Sequence, residues 1–349
     1  MKQHRLAFVG VGRVADVHYE SVRAMPERAR LVAVCDIRPE AVDQRKKEWG
    51  VPGFTSFEEL LQKVEVDAVC LLLPHNVHAE VVEVAARHGK AVFLEKPIDV
   101  SLEKAQRIVD VVEKSGITLL VAHNCLFHPA FEQTVEFVRR GWLGRPLFAS
   151  ATSAGWLTFR SWDFMLKKDE TGGGCWIDAG CHLVYCLREL LGEVDYVTGL
   201  TAKLGRPEME GEDHALATFR YKSGAIAQLF VSYGHKLPGY ELDWPRGYLN
   251  SIELYGDKGA IQYVICPEPR LSYFSEVAEA MPKGWAGWLT HQPAEPYTLS
   301  FQRELEHFLD CLDTGRTPRV TATDGLAALK VLLALYEHCE KEGLASSLR

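Results

Sequence analysis

The stretch Arg5-Leu-Ala-Phe-Val-Gly10-Val-Gly12-Arg-Val-Ala15 decides the fold. A short apolar run ends on closely spaced glycines and passes straight into a segment of helical period, which is the G-x-G-x-x-A form of the dinucleotide fingerprint in the context it requires. Each small residue has a physical reason. Gly10 permits the tight turn, Gly12 lets the backbone approach a pyrophosphate, Ala15 allows close helix–strand contact, and the N–H groups at the helix start favour the anion. The cofactor lining is expected to take in Gly10, Gly12, Arg13 and Val14.

Asp36 lies 24 residues beyond Gly12, at the end of the second apolar run. It is the expected acceptor for the adenosine ribose, flanked by Ile37 and Arg38. A carboxylate there repels a 2′-phosphate and favours NAD, whereas Arg38 could swing toward that phosphate and keeps NADP possible.

Working outward, strand-like runs at 5–9, 30–35, 67–72, 91–94 and 118–122 alternate with helical-period segments at 15–24, 39–49, 78–88 and 101–114. This βαβ grammar predicts an α/β, doubly wound parallel sheet over residues 1–124. Gly50, Gly89 and Gly116 stand where helix C-terminal glycines belong. After a helix at 129–140 the pattern changes to strands at 147–153, 194–202, 215–221, 225–233, 249–255 and 260–264. Tyr221-Lys-Ser-Gly224 and Tyr255-Gly-Asp-Lys-Gly259 supply hairpin turns. Residues 125–349 therefore read as an α+β domain with an open, mainly antiparallel sheet, one helix near 181–191 and two closing helices at 301–313 and 323–341. The Pro- and Trp-bearing stretch 266–299 has no clear period and reads as an excursion on that sheet.

Composition bounds the function. The 349 residues, 47% hydrophobic and 25% charged, suffice for two cores. Lys+Arg 39 against Asp+Glu 47 gives a net charge of −8, so no global positive field draws the chain to nucleic acid or anionic lipid. No apolar run approaches the roughly 20 residues that span a bilayer, and no secretory leader is evident at the start. Nine cysteines, an odd number without a C-x-x-C pair, read as reduced thiols of a cytoplasmic protein.

Two further segments sit where strand C-termini should meet, namely Pro74-His-Asn-Val-His78 and Glu95-Lys96-Pro97. Ligands of open α/β sheets bind outside those ends, so Leu73, His75, His78, Glu95 and Lys96 are expected on the nicotinamide side. In the second half, Thr171-Gly-Gly-Gly174-Cys-Trp-Ile-Asp178-Ala-Gly-Cys-His182 leads three glycines into an acid and an imidazole. A helix starting near Asp178 would put Asp178 and His182 at i,i+4 on one face, as acid–base equipment. The alternative makes Asp178 a helix N-cap and His182 a core residue. Cys175, Cys181, His182 and Cys186 lack zinc-ligand spacing, and no metal is expected. Aromatic residues at 155–164, Trp162 among them, and at 232–246 suit the wall of a sugar or cyclitol pocket, or ordinary packing.

In order, Gly10-x-Gly12-x-x-Ala15, Asp36, the Pro74…His78 turn, Glu95-Lys96-Pro97, Phe127-His-Pro129 and Gly172-Gly-Gly-x-x-x-Asp178-x-Gly-x-His182 resemble the Gfo/Idh/MocA oxidoreductase family, which includes glucose-fructose oxidoreductase and inositol 2-dehydrogenase. The resemblance spans nearly the whole chain. It implies a Rossmann domain, a substrate-binding and oligomerisation domain, and a homodimer or homotetramer formed through the second sheet. It also implies NAD(P)-dependent hydride transfer between nicotinamide and a secondary hydroxyl or ketone of a sugar, sugar derivative or cyclitol. Lys96, Asp178 and His182 match the catalytic residues: His182 as acid/base, Lys96 stabilising the alkoxide, Asp178 orienting His182. Lys96, His123, Trp162, Asp178 and His182 are the expected substrate contacts. His75 departs from the usual Asn, and Cys125-Leu126 replaces the basic residues common before Phe-His-Pro. Some relatives use held NAD for redox-neutral glycoside cleavage and others are non-catalytic sensors; the retained trio argues against a sensor.

Overall fold

The structure is a computed structural model, and it describes residues 2–159, 163–239, 247–266, 268–292 and 295–343. Strand β1 (His4–Val9) is buried at five of six positions, as a strand covered on both faces must be. It lies inside a parallel sheet with β2 (Ala29–Cys35), β3 (Gly53–Phe54), β4 (Ala68–Leu71), β5 (Ala91–Glu95) and β6 (Leu119–Ala122). The order β3-β2-β1-β4-β5-β6 reverses direction between β1 and β4, which is where doubly wound sheets bind dinucleotides. The connecting helices are α1 (Val14–Arg23), α2 (Pro39–Trp49), α3 (Phe57–Lys63), α4 (His78–Arg87) and α5 (Leu102–Ser115). Ser56 and Ser101 cap α3 and α5 by accepting N–H groups three residues on, and Gly50 and Gly116 close α2 and α5 in the left-handed conformation. The sequence reading did not include β3 or α3; a two-residue strand and a two-turn helix are too short to establish a period.

The chain divides into two compact units. The first runs to Asn124 and also holds Phe301–Leu329; the second is Cys125–Ser300, continued from Lys330. This differs from a contiguous second domain of 125–349. In the first unit Phe308 packs edge-on to Phe93 with ring centroids 5.6 Å apart, and Arg28 pairs with Asp310 and Asp313 at 2.7 and 2.9 Å. An amphipathic helix carries no local signal of which sheet it will cover, so only long-range partners reveal this.

The second unit holds an eight-stranded sheet of order β14-β13-β12-β11-β7-β10-β9-β8. Its strands are β7 (Pro146–Gly155), β8 (Val194–Ala202), β9 (His214–Tyr221), β10 (Ile226–Ser232), β11 (Tyr248–Gly256), β12 (Gly259–Cys266), β13 (Arg270–Ser275) and β14 (Leu289–His291). All pairings are antiparallel except β7 with β10. The two anticipated turns form the β9–β10 and β11–β12 hairpins. The 266–299 stretch is more than an excursion, because β13 and β14 extend the sheet edge. Helices α6 (Pro129–Arg139) and α8 (Cys181–Leu191) pack on it, after the single-turn α7 (Lys168–Thr171). Strict alternation along β9, with Ala215, Ala217, Phe219 and Tyr221 buried, defines the covered face. Helices α9 (Leu299–Thr314) and α10 (Ala322–Gly343) end the described chain. Among the described residues no helix is long and apolar enough to cross a membrane, and the nine cysteines are all thiols.

Candidate active site

In the first unit, Gly10 has φ +89°, and a Cβ there would clash with the backbone carbonyl of Leu72, which follows β4. Only glycine fits. Gly12 has nothing within 4 Å of its would-be Cβ, so the backbone is open to a ligand on that side. Helix α1 begins after Arg13 with no side-chain hydrogen bond capping its first N–H groups, and Asp16 of its first turn is paired with Arg45 at 2.7 Å. Asp36 accepts the Val11 N–H at 3.0 Å and the Arg38 N–H at 3.0 Å, and the Arg38 guanidinium binds the same carboxylate at 3.0 Å. Burial alone would raise the Asp36 carboxyl, but these hydrogen bonds and the Arg38 charge hold it below its usual value. Ile37 beside it is 88% exposed, an apolar surface suited to a purine. These residues fit a dinucleotide: open backbone and a helix start for the pyrophosphate, and an ionised acceptor for the ribose.

The strand-end segments are more heavily braced than their sequence suggests. His78 is fully buried; its Nδ1 is 3.0 Å from the Pro97 carbonyl and its Nε2 3.2 Å from the Leu73 carbonyl. It ties the 73–78 turn to the segment after Lys96. Burial lowers the His78 pKa and raises that of nearby Asp99. His75 is buried, with its ring centroid 6.1 Å from that of His78. Glu95 is also buried. Its carboxylate meets His18 Nε2 at 2.7 Å and accepts the Lys96 N–H at 3.1 Å, so it fixes the backbone from which the half-buried Lys96 projects. His123, 1% exposed, follows β6. Sequence reasoning missed His18, because one histidine inside an amphipathic helix looks like any polar position.

In the second unit, each glycine of the triplet answers a different constraint. Gly172 takes a left-handed φ of +82°, a Cβ on Gly173 would strike the Tyr336 hydroxyl, and one on Gly174 would strike the backbone of Glu212. The Glu212 side chain accepts the Gly174 and Trp176 N–H groups, each at 3.0 Å, and the Tyr336 hydroxyl at 2.8 Å. These contacts hold Trp176–Gly180 as a π-helical turn ahead of α8. Helix α8 proper therefore starts at Cys181, not near Asp178, and Asp178 occupies the widened turn. Such turns recur at functional sites because they re-aim side chains. Asp178 is 8% exposed and accepts a hydrogen bond from the Tyr233 hydroxyl. Burial and the Asp178 charge together push the Tyr233 phenol well above its usual value, so it stays a donor. Half-buried His182 places Nδ1 3.6 Å from the Cys125 sulfur. Tyr233 was legible only as one aromatic among many.

Trp162 lies outside the described residues, as do positions 240–246. The described part of the aromatic stretch is organised by buried Arg206. Its guanidinium sits 4.2 Å from the Trp156 ring and 4.9 Å from Phe159, and donates to the Tyr233 and Leu157 carbonyls at 2.7 Å each.

A doubly wound sheet with a dinucleotide turn, continued by a mixed sheet on which a helix and the π-helical turn ahead of it carry an imidazole and a buried acid, defines a nucleotide-dependent oxidoreductase. Residues 4–123 match the Gfo/Idh/MocA oxidoreductase family, NAD-binding Rossmann fold, and residues 131–262 match that family's C-terminal domain. The chain belongs to this family. It is 28% identical to the scyllo-inositol 2-dehydrogenase (NAD+) of Bacillus subtilis, over 95% of this chain and 93% of that protein. It is 27% identical to the myo-inositol 2-dehydrogenase of Thermotoga maritima, over 97% of each. The D-xylose 1-dehydrogenase (NADP+) of Haloferax volcanii is 27% identical over 93% of this chain and 91% of its own. A levoglucosan dehydrogenase solved with NADH and levoglucosan superposes with a TM-score of 0.85 over 98% of both chains at 19% identity, a likeness of fold.

Proposed function

We propose that the protein is an NAD(P)-dependent dehydrogenase or reductase acting on a secondary hydroxyl or ketone of a sugar, sugar derivative or cyclitol, with NAD preferred. The observation that carries this reading is the buried Asp178 carboxylate, held by Tyr233 in a π-helical turn just before His182. The inositol and xylose dehydrogenases among its relatives support the substrate class.

Gly10, Gly12, Arg13 and Val14 would hold the pyrophosphate, Asp36, Ile37 and Arg38 the adenosine, and Leu73, His75, Glu95 and Lys96 the nicotinamide side; fully buried His78, expected there from the sequence, braces that turn from behind through the Leu73 and Pro97 carbonyls. When bound, the oxidised nicotinamide supplies the hydride acceptor. His182 takes the hydroxyl proton, and the Lys96 ammonium offsets the charge that develops on that oxygen. Asp178 favours the imidazolium that results, and Tyr233 keeps the carboxylate aimed. His123 and Trp162 complete the substrate contacts. A screen of inositols, aldoses, uronates and amino sugars with NAD and NADP, read by absorbance of the reduced cofactor, tests the reading. A rise with a polyol or sugar supports it; turnover of glycosides without net reduction would overturn it.

Three expected results follow from particular contacts. Asp36→Ala narrows the preference for NAD over NADP, because Arg38 loses its carboxylate partner and becomes available to a 2′-phosphate; titration of both cofactors measures this. An unchanged ratio would remove Asp36 from the ribose site. Tyr233→Phe leaves the fold in place but lowers kcat by about tenfold, the cost of one charge-assisted hydrogen bond of roughly 1.4 kcal/mol. A wild-type kcat would show that the Asp178 carboxylate needs no such donor.

The third concerns assembly. Tyr196, Leu200, Leu216 and Ile226 are 46–70% exposed, and Leu200 faces Leu216 across β8 and β9. Tyr196 and Ile226 flank Arg220 further along the same face, and exposed apolar side chains on a sheet face favour burial by another copy, so we expect a homodimer or homotetramer. A monomeric mass by light scattering at micromolar protein would reject it. The thiols, none in a disulfide, favour a cytoplasmic site of action.

A further inference from the structure

The short turn Asn124–Phe127, between β6 and α6, carries Cys125, which is fully buried. Its sulfur lies 3.6 Å from His182 Nδ1 and 3.5 Å from the Tyr297 hydroxyl, so a thiol stands between a phenol and the imidazole. We infer that Cys125 is a positioning residue for His182: it occupies Nδ1, fixes the ring's orientation and tautomer, and leaves Nε2 as the nitrogen that exchanges the substrate proton. The inference rests on the reading of His182 as acid/base and assigns that role to one atom.

The chemistry of a thiol suits this task. Sulfur is a weak donor and a weak acceptor, large enough to reach the ring without a formal charge. In the polarity that leaves Nε2 basic, Nδ1–H donates to the Cys125 sulfur and the thiol proton points to the Tyr297 oxygen. When Nε2 accepts the hydroxyl proton, the Nδ1–H donation is unchanged, so the ring stays in place and no proton travels along the chain. A carboxylate bonded directly to Nδ1 would add to the stabilisation that Asp178 gives the imidazolium and bias the residue toward holding a proton. The thiol holds the ring while leaving it free to give and take the proton in both directions.

The test is spectroscopic. Full-length protein labelled with ¹⁵N-histidine is examined at mildly alkaline pH, without cofactor or polyol, and His182 is assigned by the signal that His182→Gln removes. Wild-type protein is expected to show His182 as one tautomer, protonated at Nδ1. Cys125→Ala is expected to give a mixture of tautomers, and Cys125→Ser to restore the single form. A wild-type His182 protonated mainly at Nε2, or averaging between tautomers, overturns the inference whatever the variants do. So does a Cys125→Ala spectrum identical to wild type. A kinetic arm with NAD and myo-inositol keeps the two readings apart. If His182→Gln turns over normally, the acid/base assignment fails. If His182→Gln is inactive while Cys125→Ala keeps the wild-type kcat, the positioning role fails alone; the expected loss for Cys125→Ala is about tenfold in kcat with KM for NAD unchanged.

Discussion

Replacing His182 with alanine is expected to lower turnover by about 10²-fold or more with little change in NAD affinity, and Lys96→Ala by a similar factor. The two losses have different origins. His182→Ala removes the proposed proton acceptor, and general-base catalysis of this kind contributes about 10²–10⁴-fold. In the proposed chemistry Lys96→Ala removes a positive charge from an oxygen that becomes negative only as the proton leaves, so the deficit falls on the chemical step. The backbone at Lys96 should survive the change, because Glu95 anchors it through the Lys96 N–H and is itself held by His18. A KM for NAD that rises severalfold in Lys96→Ala alone would place the ammonium on the nicotinamide ribose as well. Near-normal kcat in His182→Ala would leave the proposed chemistry without a base. His18→Ala is a useful contrast, since it keeps the Lys96 side chain but removes the imidazole partner of Glu95, and a partial loss would measure how much of the Lys96 effect is orientation.

How much of this was legible in the sequence depends on the range of the signal. The dinucleotide turn is local: Gly10, Gly12 and Asp36 can be read from a strand, a turn and the next strand end, and the structure joins them, with Asp36 accepting the N–H of Val11 between the two glycines. Asp178 and His182 were visible as residues, but their setting was not. The i,i+4 expectation assumed a regular helix, whereas the Glu212 contacts with Gly174 and Trp176 impose a π-helical turn, and Glu212 lies 34 residues beyond Asp178. Tyr233, His18 and Glu304 belong to the same class of long-range detail. Glu304 is fully buried and burial, reinforced by nearby Glu95, pushes its carboxyl well above the ordinary range. It sits in a helix whose sequence, Phe301-Gln-Arg-Glu304-Leu-Glu, offers no sign that one of its two glutamates is inside. Periodicity finds faces of elements; it does not say which polar residue on a face will meet a partner from elsewhere in the chain.

The paired variants Gly10→Ala and Gly12→Ala are expected to separate folding from cofactor binding. At Gly10, φ is +89° and a Cβ would clash with the Leu72 carbonyl oxygen, an atom of the backbone that cannot move aside as a side chain can. The left-handed conformation alone costs an alanine about 1–3 kcal/mol, and the clash adds to it, so Gly10→Ala should unfold at clearly lower temperature and bind NAD poorly. Gly12 has no positive φ, and nothing lies within 4 Å of its would-be Cβ. Gly12→Ala should therefore be as stable as wild type, or gain about 0.4–1 kcal/mol from a less flexible unfolded chain. Its defect should appear only with ligand, because the added methyl fills the open space beside Gly12 in which the pyrophosphate is proposed to lie. A rise in the NAD dissociation constant of about tenfold or more, roughly 1.4 kcal/mol, with an unchanged melting curve is the expected pair of results. Calorimetric titration and thermal unfolding of the same two preparations measure both. If Gly12→Ala bound NAD as tightly as wild type, the pyrophosphate would not lie against this loop, and the assignment of Asp36 to the ribose would lose its frame of reference.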